Sequence, residues 1–181
     1  MKAVVFIDVQ YDFVNGIFGS EHASRVAEQI MPFARKCADN GWYLYGTRDT
    51  HKRNYLQTLE GQKLPTKHCI EGTDGWKILT ELNGILDDAA KVGLGFVYDK
   101  HTFGSKELVE ELEWAASRNG IDEIILCGFC TDICCVSCTL LLRAKFPNTK
   151  ITVMKDLCAG TNTENHEAAL KVMKSCQIDV I

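Results

Sequence analysis

Short apolar runs alternate along this chain with segments whose apolar residues recur every three or four positions. The runs predict strands at residues 3–7, 42–46, 96–98, 123–127 and 150–154, and a last one at 178–181. The segments between them predict helices over 23–40, 75–88, 105–119, 133–145 and 164–175. Strands that are almost continuously apolar and alternate with helices are typical of a parallel sheet covered on both faces. The pattern therefore predicts one α/β domain over residues 1–181.

The amino-acid composition disfavours several classes of protein, namely nucleic-acid-binding, membrane-spanning and secreted proteins. The 181 residues are 46% hydrophobic and 24% charged, which is ordinary for a folded globular protein that can bury a core. A net charge of −4 disfavours a nucleic-acid partner, and no apolar run reaches the roughly 20 residues of a membrane span. The first run is interrupted by Asp8 and lacks a cleavage-site pattern, so it predicts a strand and not a signal peptide. Nine cysteines, an odd count, indicate free thiols and a cytoplasmic protein.

The predicted strand ends are rich in polar residues. Ligands of parallel α/β sheets bind at the carboxyl ends of the strands. Here those ends carry Asp8, the run 47–51, Lys100 and the run 128–134, which ends in Cys134. Any one of them has a structural explanation, since strand ends are usually polar. Four such ends with catalytic residue types together indicate an active site.

Cys134 is the candidate nucleophile. It lies near the start of a predicted helix, where free N–H groups and the helix dipole favour a thiolate. Asp8 could accept the thiol proton, and Lys100 could favour the thiolate and steady a developing anion. The alternatives are a buried packing cysteine, a capping aspartate and a solvated lysine.

The sequence contains two CxxC pairs, Cys127/Cys130 and Cys135/Cys138. Such pairs can form redox-active disulfides or bind a metal ion. Only four residues separate the pairs, whereas a zinc ribbon needs about 15–20. The first pair straddles a strand end, and the second lies within a predicted helix. Packing is the favoured role for these pairs and for the remaining cysteines at positions 37, 69, 158 and 176.

The segment from 48 to 74 shows no clear periodicity, and loops of that length are usually functional or disordered. Asp49 and His51 have a common metal-ligand spacing, and carboxylate with imidazole suits zinc or iron. Glu60 and His68, from the same loop, could complete the set. The other histidines, at positions 22, 101 and 166, are expected to have surface or structural roles.

Five motifs, spread over essentially the whole chain, resemble those of a known protein family. They are DVQYDF (8–13), TRDTH (47–51), HCIEGTDG (68–75), KHTFGS (100–105) and GFCTDIC (128–134). Their order and spacing resemble the isochorismatase-like cysteine hydrolases, and within them the nicotinamidase (pyrazinamidase) branch.

The resemblance implies a three-layer α/β/α, Rossmann-like fold with a mostly parallel central sheet. It implies a catalytic triad of Asp8, Lys100 and Cys134. It also implies a cis peptide between Phe129 and Cys130, with the backbone N–H groups of Cys130 and Cys134 forming an oxyanion hole.

The resemblance further implies one divalent metal ion, zinc first and iron or manganese next, held by Asp49, His51 and His68, with Glu60 as a fourth ligand. The residues that line the substrate pocket would be Phe13, Leu64 and Phe129.

The implied reaction is hydrolysis of nicotinamide to nicotinate and ammonia through a thioester, a step of NAD salvage. The expected partner is a small carboxamide, without nucleic acid or membrane, and assembly into homo-oligomers stays open. Two departures stand out. Leu64 takes a place where nicotinamidases usually carry an aromatic residue, and Cys135 follows the nucleophile where valine is common. A sibling hydrolase of another small amide or a vinyl ether is the alternative, and a non-enzymatic CxxC redox or metal-binding protein comes third.

Overall fold

The computed structural model describes all 181 residues. Its centre is one sheet of six parallel strands in the order β3-β2-β1-β4-β5-β6. The strands are β1 Lys2–Ile7, β2 Tyr43–Asp49, β3 Gly95–Lys100, β4 Glu123–Phe129, β5 Lys150–Ala159 and β6 Asp179–Val180. The helices are α1 Tyr11–Val14, α2 Glu21–Asp39, α3 Leu59–Lys63, α4 Thr80–Lys91, α5 Lys106–Asn119, α6 Val136–Lys145 and α7 Thr163–Ser175. A 3₁₀ turn at Tyr55–Gln57 and a π-helical turn at Thr131–Cys135 complete the elements.

The helices cover both faces of this sheet. Helices α2 and α4 pack against each other, and α6 packs against both α5 and α7. Right-handed crossovers place the first pair on one face and the other three on the opposite face. The predicted α/β/α architecture with a parallel sheet is therefore confirmed. No helix is long and apolar enough to cross a membrane.

Several predicted boundaries were wrong. Helix α4 begins at Thr80 and not at residue 75. The segment before it pairs with the residues that follow β1, because Ile78 forms a β-bridge with Gln10. The helix predicted over 133–145 starts as the π-helical turn and becomes regular at Val136. The 48–74 segment contains a 3₁₀ turn and α3. Strand β3 lies at the edge of the sheet with Phe96 56% exposed, so the expectation of burial on both faces fails there.

The strand order reverses direction between β1 and β4. Connections run from β1 outward to β2 and β3, and then cross back to β4 and continue to β5 and β6. Such a switch point leaves a crevice at the carboxyl ends of its two strands. Gly128 allows β4 to come close to β1 there: its φ is +126°, and a Cβ on it would lie 2.1 Å from the carbonyl oxygen of Ile7. The fold thus brings Asp8 and Cys134 to one crevice.

Candidate active site

A buried ion cluster lies at the switch point. The Nζ atom of Lys100 is 2.8 Å from Asp8 Oδ2, 3.2 Å from Asp49 Oδ1 and 3.3 Å from Cys134 Sγ. Lys100 and Asp8 are almost fully buried, and Cys134 is 4% exposed. The structure therefore brings together the three residues that the sequence singled out for catalysis, around a single ammonium group.

Each member of the cluster comes from a strand end. Asp8 follows β1 with a φ of +48°, a backbone conformation that residues other than glycine rarely adopt. Lys100 is the last residue of β3 and reaches across β2, because β3 and β1 are not neighbours. Cys134 lies in the π-helical turn after β4, just beyond the peptide bond between Phe129 and Cys130. That bond is cis, as the resemblance implied.

Burial acts on all three ionisable groups. It would lower the pKa of Lys100, but the charges of Asp8, Cys134 and Asp49 outweigh it and raise this pKa well above its ordinary value. Burial also raises the pKa of the Asp8 carboxyl, and Lys100 offsets only part of that effect. Lys100 therefore stays charged, and Asp8 binds a proton more readily than a solvated aspartate does.

The thiol of Cys134 departs from the expectation of a favoured thiolate. Burial raises its pKa well above the ordinary value, and the negative charge of Asp8 adds to this. Lys100 does act in the expected direction, but burial outweighs it. The cysteine therefore rests as a neutral thiol beside the Asp8 carboxyl group.

Three potential metal ligands lie next to this cluster. The ligand atoms of Asp49, His51 and His68 lie within 4.8 Å of one another, and all three residues are buried. Asp49 Oδ2 is 3.0 Å from Nε2 of His51 and 3.5 Å from Nε2 of His68. Nε2 of His51 is buried without a hydrogen-bond partner, as expected of an atom placed for a cation. Glu60 Oε1 lies 3.5 Å from the same atom, but Glu60 is not one of the three clustered ligands.

The donor set suits a divalent cation. Two imidazoles and one or two carboxylates form a typical zinc or iron environment. The Nδ1 atom of His68 bonds the carbonyl oxygen of Thr66 at 2.9 Å, which leaves Nε2 directed to the site. Burial would lower the pKa of His68, but the hydrogen bond to Asp49 raises it overall. Asp49 joins the two groups, since one of its oxygens faces Lys100 and the other faces the histidines.

Two residues that follow β1, Gln10 and Asp12, form hydrogen bonds to the segments that carry the potential metal ligands. The side-chain amide of Gln10 accepts the N–H of Asp49 at 2.7 Å and donates to its carbonyl oxygen at 2.9 Å. The Asp12 carboxylate accepts the N–H of Cys69 at 2.7 Å, directly after His68. Gln10 and Asp12 were not predicted as site residues, although they alternate with Asp8 in the first motif.

A cavity of about 440 Å³ opens beside Cys134. The predicted wall residues Phe13, Leu64 and Phe129 all line it. So do Phe18 and Phe103, which the sequence reasoning missed because both lie in loops without periodicity. Asp49, Glu60 and His68 also line the cavity, which places the potential metal site and the thiol around one space. Its size falls in the range of small-molecule sites.

The other cysteines and histidines lie apart from this arrangement. All nine cysteines are free, and the cysteines of the CxxC pairs are not among the potential metal ligands. Cys130 is half-buried at the cavity wall, whereas Cys127, Cys135 and Cys138 are buried in the core. Nδ1 of His101 bonds the carbonyl oxygen of Thr50, and Nδ1 of His166 bonds the hydroxyl of Thr131.

The fold and the cavity define the class of protein as an α/β protein with a ligand-sized site at the switch point of a doubly wound parallel sheet. The family model for the isochorismatase domain matches residues 2–181, and the chain belongs to that family. The nicotinamidase of Schizosaccharomyces pombe is 27% identical over 217 aligned residues, which cover 99% of this chain and 92% of that protein.

Solved structures agree with this assignment. The crystal structure of the nicotinamidase/pyrazinamidase from Bacillus subtilis superposes with a TM-score of 0.84 at 25% identity, covering 99% of each chain. The pyrazinamidase of Pyrococcus horikoshii in complex with zinc shares the fold, with a TM-score of 0.81 at 21% identity and coverage of 99% and 98%. This chain therefore resembles nicotinamidases over its full length.

Proposed function

We propose that the protein is a nicotinamidase, a cysteine amidohydrolase that converts nicotinamide and water to nicotinate and ammonia. The observation that carries the proposal is the contact of Lys100 with Asp8 and Cys134, beside a cavity that Cys134 shares with two of the potential metal ligands, Asp49 and His68. The named relatives support the choice of substrate, and aromatic walls suit a pyridine ring. The reaction would belong to NAD salvage.

A divalent ion, for which we propose zinc before iron or manganese, would be held by Asp49, His51, His68 and Glu60, and when bound it would ligate the pyridine nitrogen and so orient the ring. The chain itself supplies the other contacts to the ring. Phe13 and Phe129 enclose it from the cavity wall, and Leu64 covers it from the loop. These contacts would hold the carboxamide carbon against the thiol.

The first half-reaction forms a thioester. The Sγ atom of Cys134 attacks the carboxamide carbon as its proton passes to Asp8. The backbone N–H groups of Cys130 and Cys134 would stabilise the resulting oxyanion. Asp8 then returns the proton to the amide nitrogen, the C–N bond breaks and ammonia leaves.

The second half-reaction regenerates the thiol. Water attacks the thioester carbon and gives a proton to Asp8, and the C–S bond breaks as Asp8 returns that proton to Sγ. The carboxylic acid product then loses its proton to solvent and leaves as nicotinate. Lys100 stays protonated throughout and stabilises the anionic forms of its neighbours. The raised pKa of Asp8 suits a group that takes and returns a proton in each half-reaction.

Leu64 favours one alternative. It lines the cavity, is 38% exposed and has no aromatic ring to stack on the substrate. Another small amide or a vinyl ether on the same scaffold is therefore the second candidate. In either case we propose a cytoplasmic enzyme, since nine free thiols suit a reducing compartment.

Ammonia release from nicotinamide by the zinc-loaded protein tests the proposal. We expect release that Cys134→Ala lowers by about 10⁴-fold or more, because the nucleophile is lost. Cys135→Ala, at the neighbouring buried thiol, is the matched control and should retain activity. No release from the metal-loaded wild-type protein would reject nicotinamide as substrate, and equal losses in both variants would reject Cys134 as nucleophile.

A further inference from the structure

Thr47 makes three hydrogen bonds to the proposed base, and in one of them its carbonyl oxygen accepts the backbone N–H of Asp8 at 3.1 Å. It lies in β2 beside the end of β1, and its side chain is fully buried. Its hydroxyl oxygen Oγ1 lies 3.1 Å from the backbone N–H of Asp8, which donates to it. The same Oγ1 lies 2.7 Å from Oδ1 of the Asp8 carboxylate. Thr47 thus contacts both the backbone and the side chain of one residue.

The direction of the bond between Oγ1 and Oδ1 follows from the bond between Oγ1 and the backbone N–H of Asp8. Because Oγ1 accepts the N–H of Asp8, and because Oδ1 is the only acceptor for the Thr47 hydroxyl hydrogen, that hydrogen points to Oδ1. A proton on Oδ1 would leave the buried hydroxyl without an acceptor, which is costly. Thr47 therefore holds Oδ1 against strand β2.

The other carboxylate oxygen has the opposite surroundings. Oδ2 is buried and lies 2.8 Å from the Lys100 ammonium, and it has no other hydrogen-bond partner. It is on the side of the carboxylate that faces Lys100, whose ammonium also contacts Cys134 Sγ at 3.3 Å. Thr47 at Oδ1 and Lys100 at Oδ2 thus fix the orientation of the carboxylate within the cluster.

We propose that Thr47 is a positioning residue that fixes the Asp8 carboxylate with Oδ2 toward Lys100, and so holds the base in place for proton transfer between the thiol and the leaving group. This inference rests on the proposed role of Asp8 as base. Thr47 touches neither the reacting atoms nor the cavity, so it acts only through the orientation of the carboxylate.

The test compares three variants of the zinc-loaded protein. Thr47→Val removes the hydroxyl and keeps the shape, and Thr47→Ser keeps the hydroxyl. Thr152→Val is the matched control, because Thr152 is also fully buried in the sheet and donates to a carboxylate, Glu123 Oε1, at 2.7 Å. Each variant is assayed for kcat and KM on nicotinamide, zinc content, thermal unfolding, and the rate of Cys134 alkylation by iodoacetamide.

We expect Thr47→Val to lower kcat by about 10- to 100-fold, the equivalent of one hydrogen bond to a charged group, with KM and zinc content unchanged. Cys134 alkylation should slow as well. Thr47→Ser should keep most of kcat, and Thr152→Val should keep all of it.

Three results would overturn the inference: an unchanged kcat in Thr47→Val, an equal loss in Thr47→Ser, or a loss confined to KM or zinc content. If Thr47→Val does not fold, a low kcat in folded Thr47→Ser still rejects the inference, and a retained one supports it. Alkylation separates this inference from the proposed function. A wild-type protein inactive on nicotinamide rejects the substrate, whereas equal alkylation rates in wild type and Thr47→Val reject the role of Thr47.

Discussion

The two ends of the sheet each hold a carboxylate bound by a threonine hydroxyl and by lysine. At the carboxyl end, Asp8 pairs with Thr47 and Lys100. At the amino end, Glu123 accepts a hydrogen bond from Thr152 and lies 2.6 Å from Lys2 Nζ and 3.1 Å from Lys150 Nζ. The residue types are nearly the same, yet the two carboxyl groups behave in opposite ways.

Burial of the carboxyl group itself accounts for the difference, and the exposure of the lysine partners follows the same pattern. The Lys100 side chain is fully buried, whereas those of Lys2 and Lys150 are 42% and 54% exposed. Burial would raise the pKa of Glu123, but hydrogen bonds from its partners outweigh it and lower this pKa to about 2. Asp8 is buried more deeply, and its pKa is raised. A carboxylate with solvated partners thus stabilises the fold, and one enclosed with its partner is available for proton transfer.

Removing a lysine from each end gives the largest expected difference in stability. Lys100→Met should lower the free energy of unfolding by about 3–5 kcal/mol, because it leaves buried carboxylates without their counter-charge. Lys150→Met should lower it by less than about 1 kcal/mol, since that lysine is exposed. Urea unfolding of the metal-loaded proteins measures both. Similar losses in the two variants would contradict the contrast in burial.

Metal binding should depend on the carboxyl end alone. His51→Ala should weaken zinc binding by more than about 100-fold, because even loss of a group that supports a ligand costs 10- to 100-fold. His101→Ala is the control, since that exposed ring bonds only the carbonyl oxygen of Thr50. Titration with zinc against a competing chelator measures the affinity. A His51→Ala protein that binds zinc like the wild type would remove this residue from the ligand set.

A smaller, pH-dependent effect is expected at the amino end. The pKa of Glu123 is about 2 in the folded protein and about 4.3 when unfolded, so its contribution is present above the unfolded value and is lost as pH falls toward 2. Glu123→Gln should therefore destabilise the protein by about 1–2 kcal/mol at neutral pH, a figure reduced for its exposed lysines. The deficit should shrink between about pH 4.5 and 2. A deficit independent of pH would show that the charge of Glu123 is not responsible.

Much of the carboxyl end was predictable from sequence. Parallel strands bring their carboxyl ends to one edge, so Asp8, Lys100 and Cys134 could be expected to meet there. The protonation state of Cys134 could not be predicted, because its pKa depends on burial that a position near a helix start does not reveal.

The rest of the site could not be predicted from the sequence, because its residues are brought together by tertiary contacts. The pairing of Thr47 with Asp8 requires the register between β1 and β2, which apolar runs leave undetermined. Phe18 and Phe103 reach the cavity from loops whose paths are set by packing. The 75–79 segment has helical spacing, but Ile78 forms a β-bridge with Gln10, and α4 therefore begins only after this segment.

The most direct test of the contrast is a side-by-side measurement of kcat for Asp8→Asn and Glu123→Gln. We expect Asp8→Asn to lose about 10²- to 10⁴-fold, because an amide cannot accept and return the proton. Glu123→Gln should retain the wild-type kcat while losing stability. Near-wild-type turnover in Asp8→Asn, or equal losses of kcat in the two variants, would contradict the assignment of proton transfer to the enclosed carboxylate.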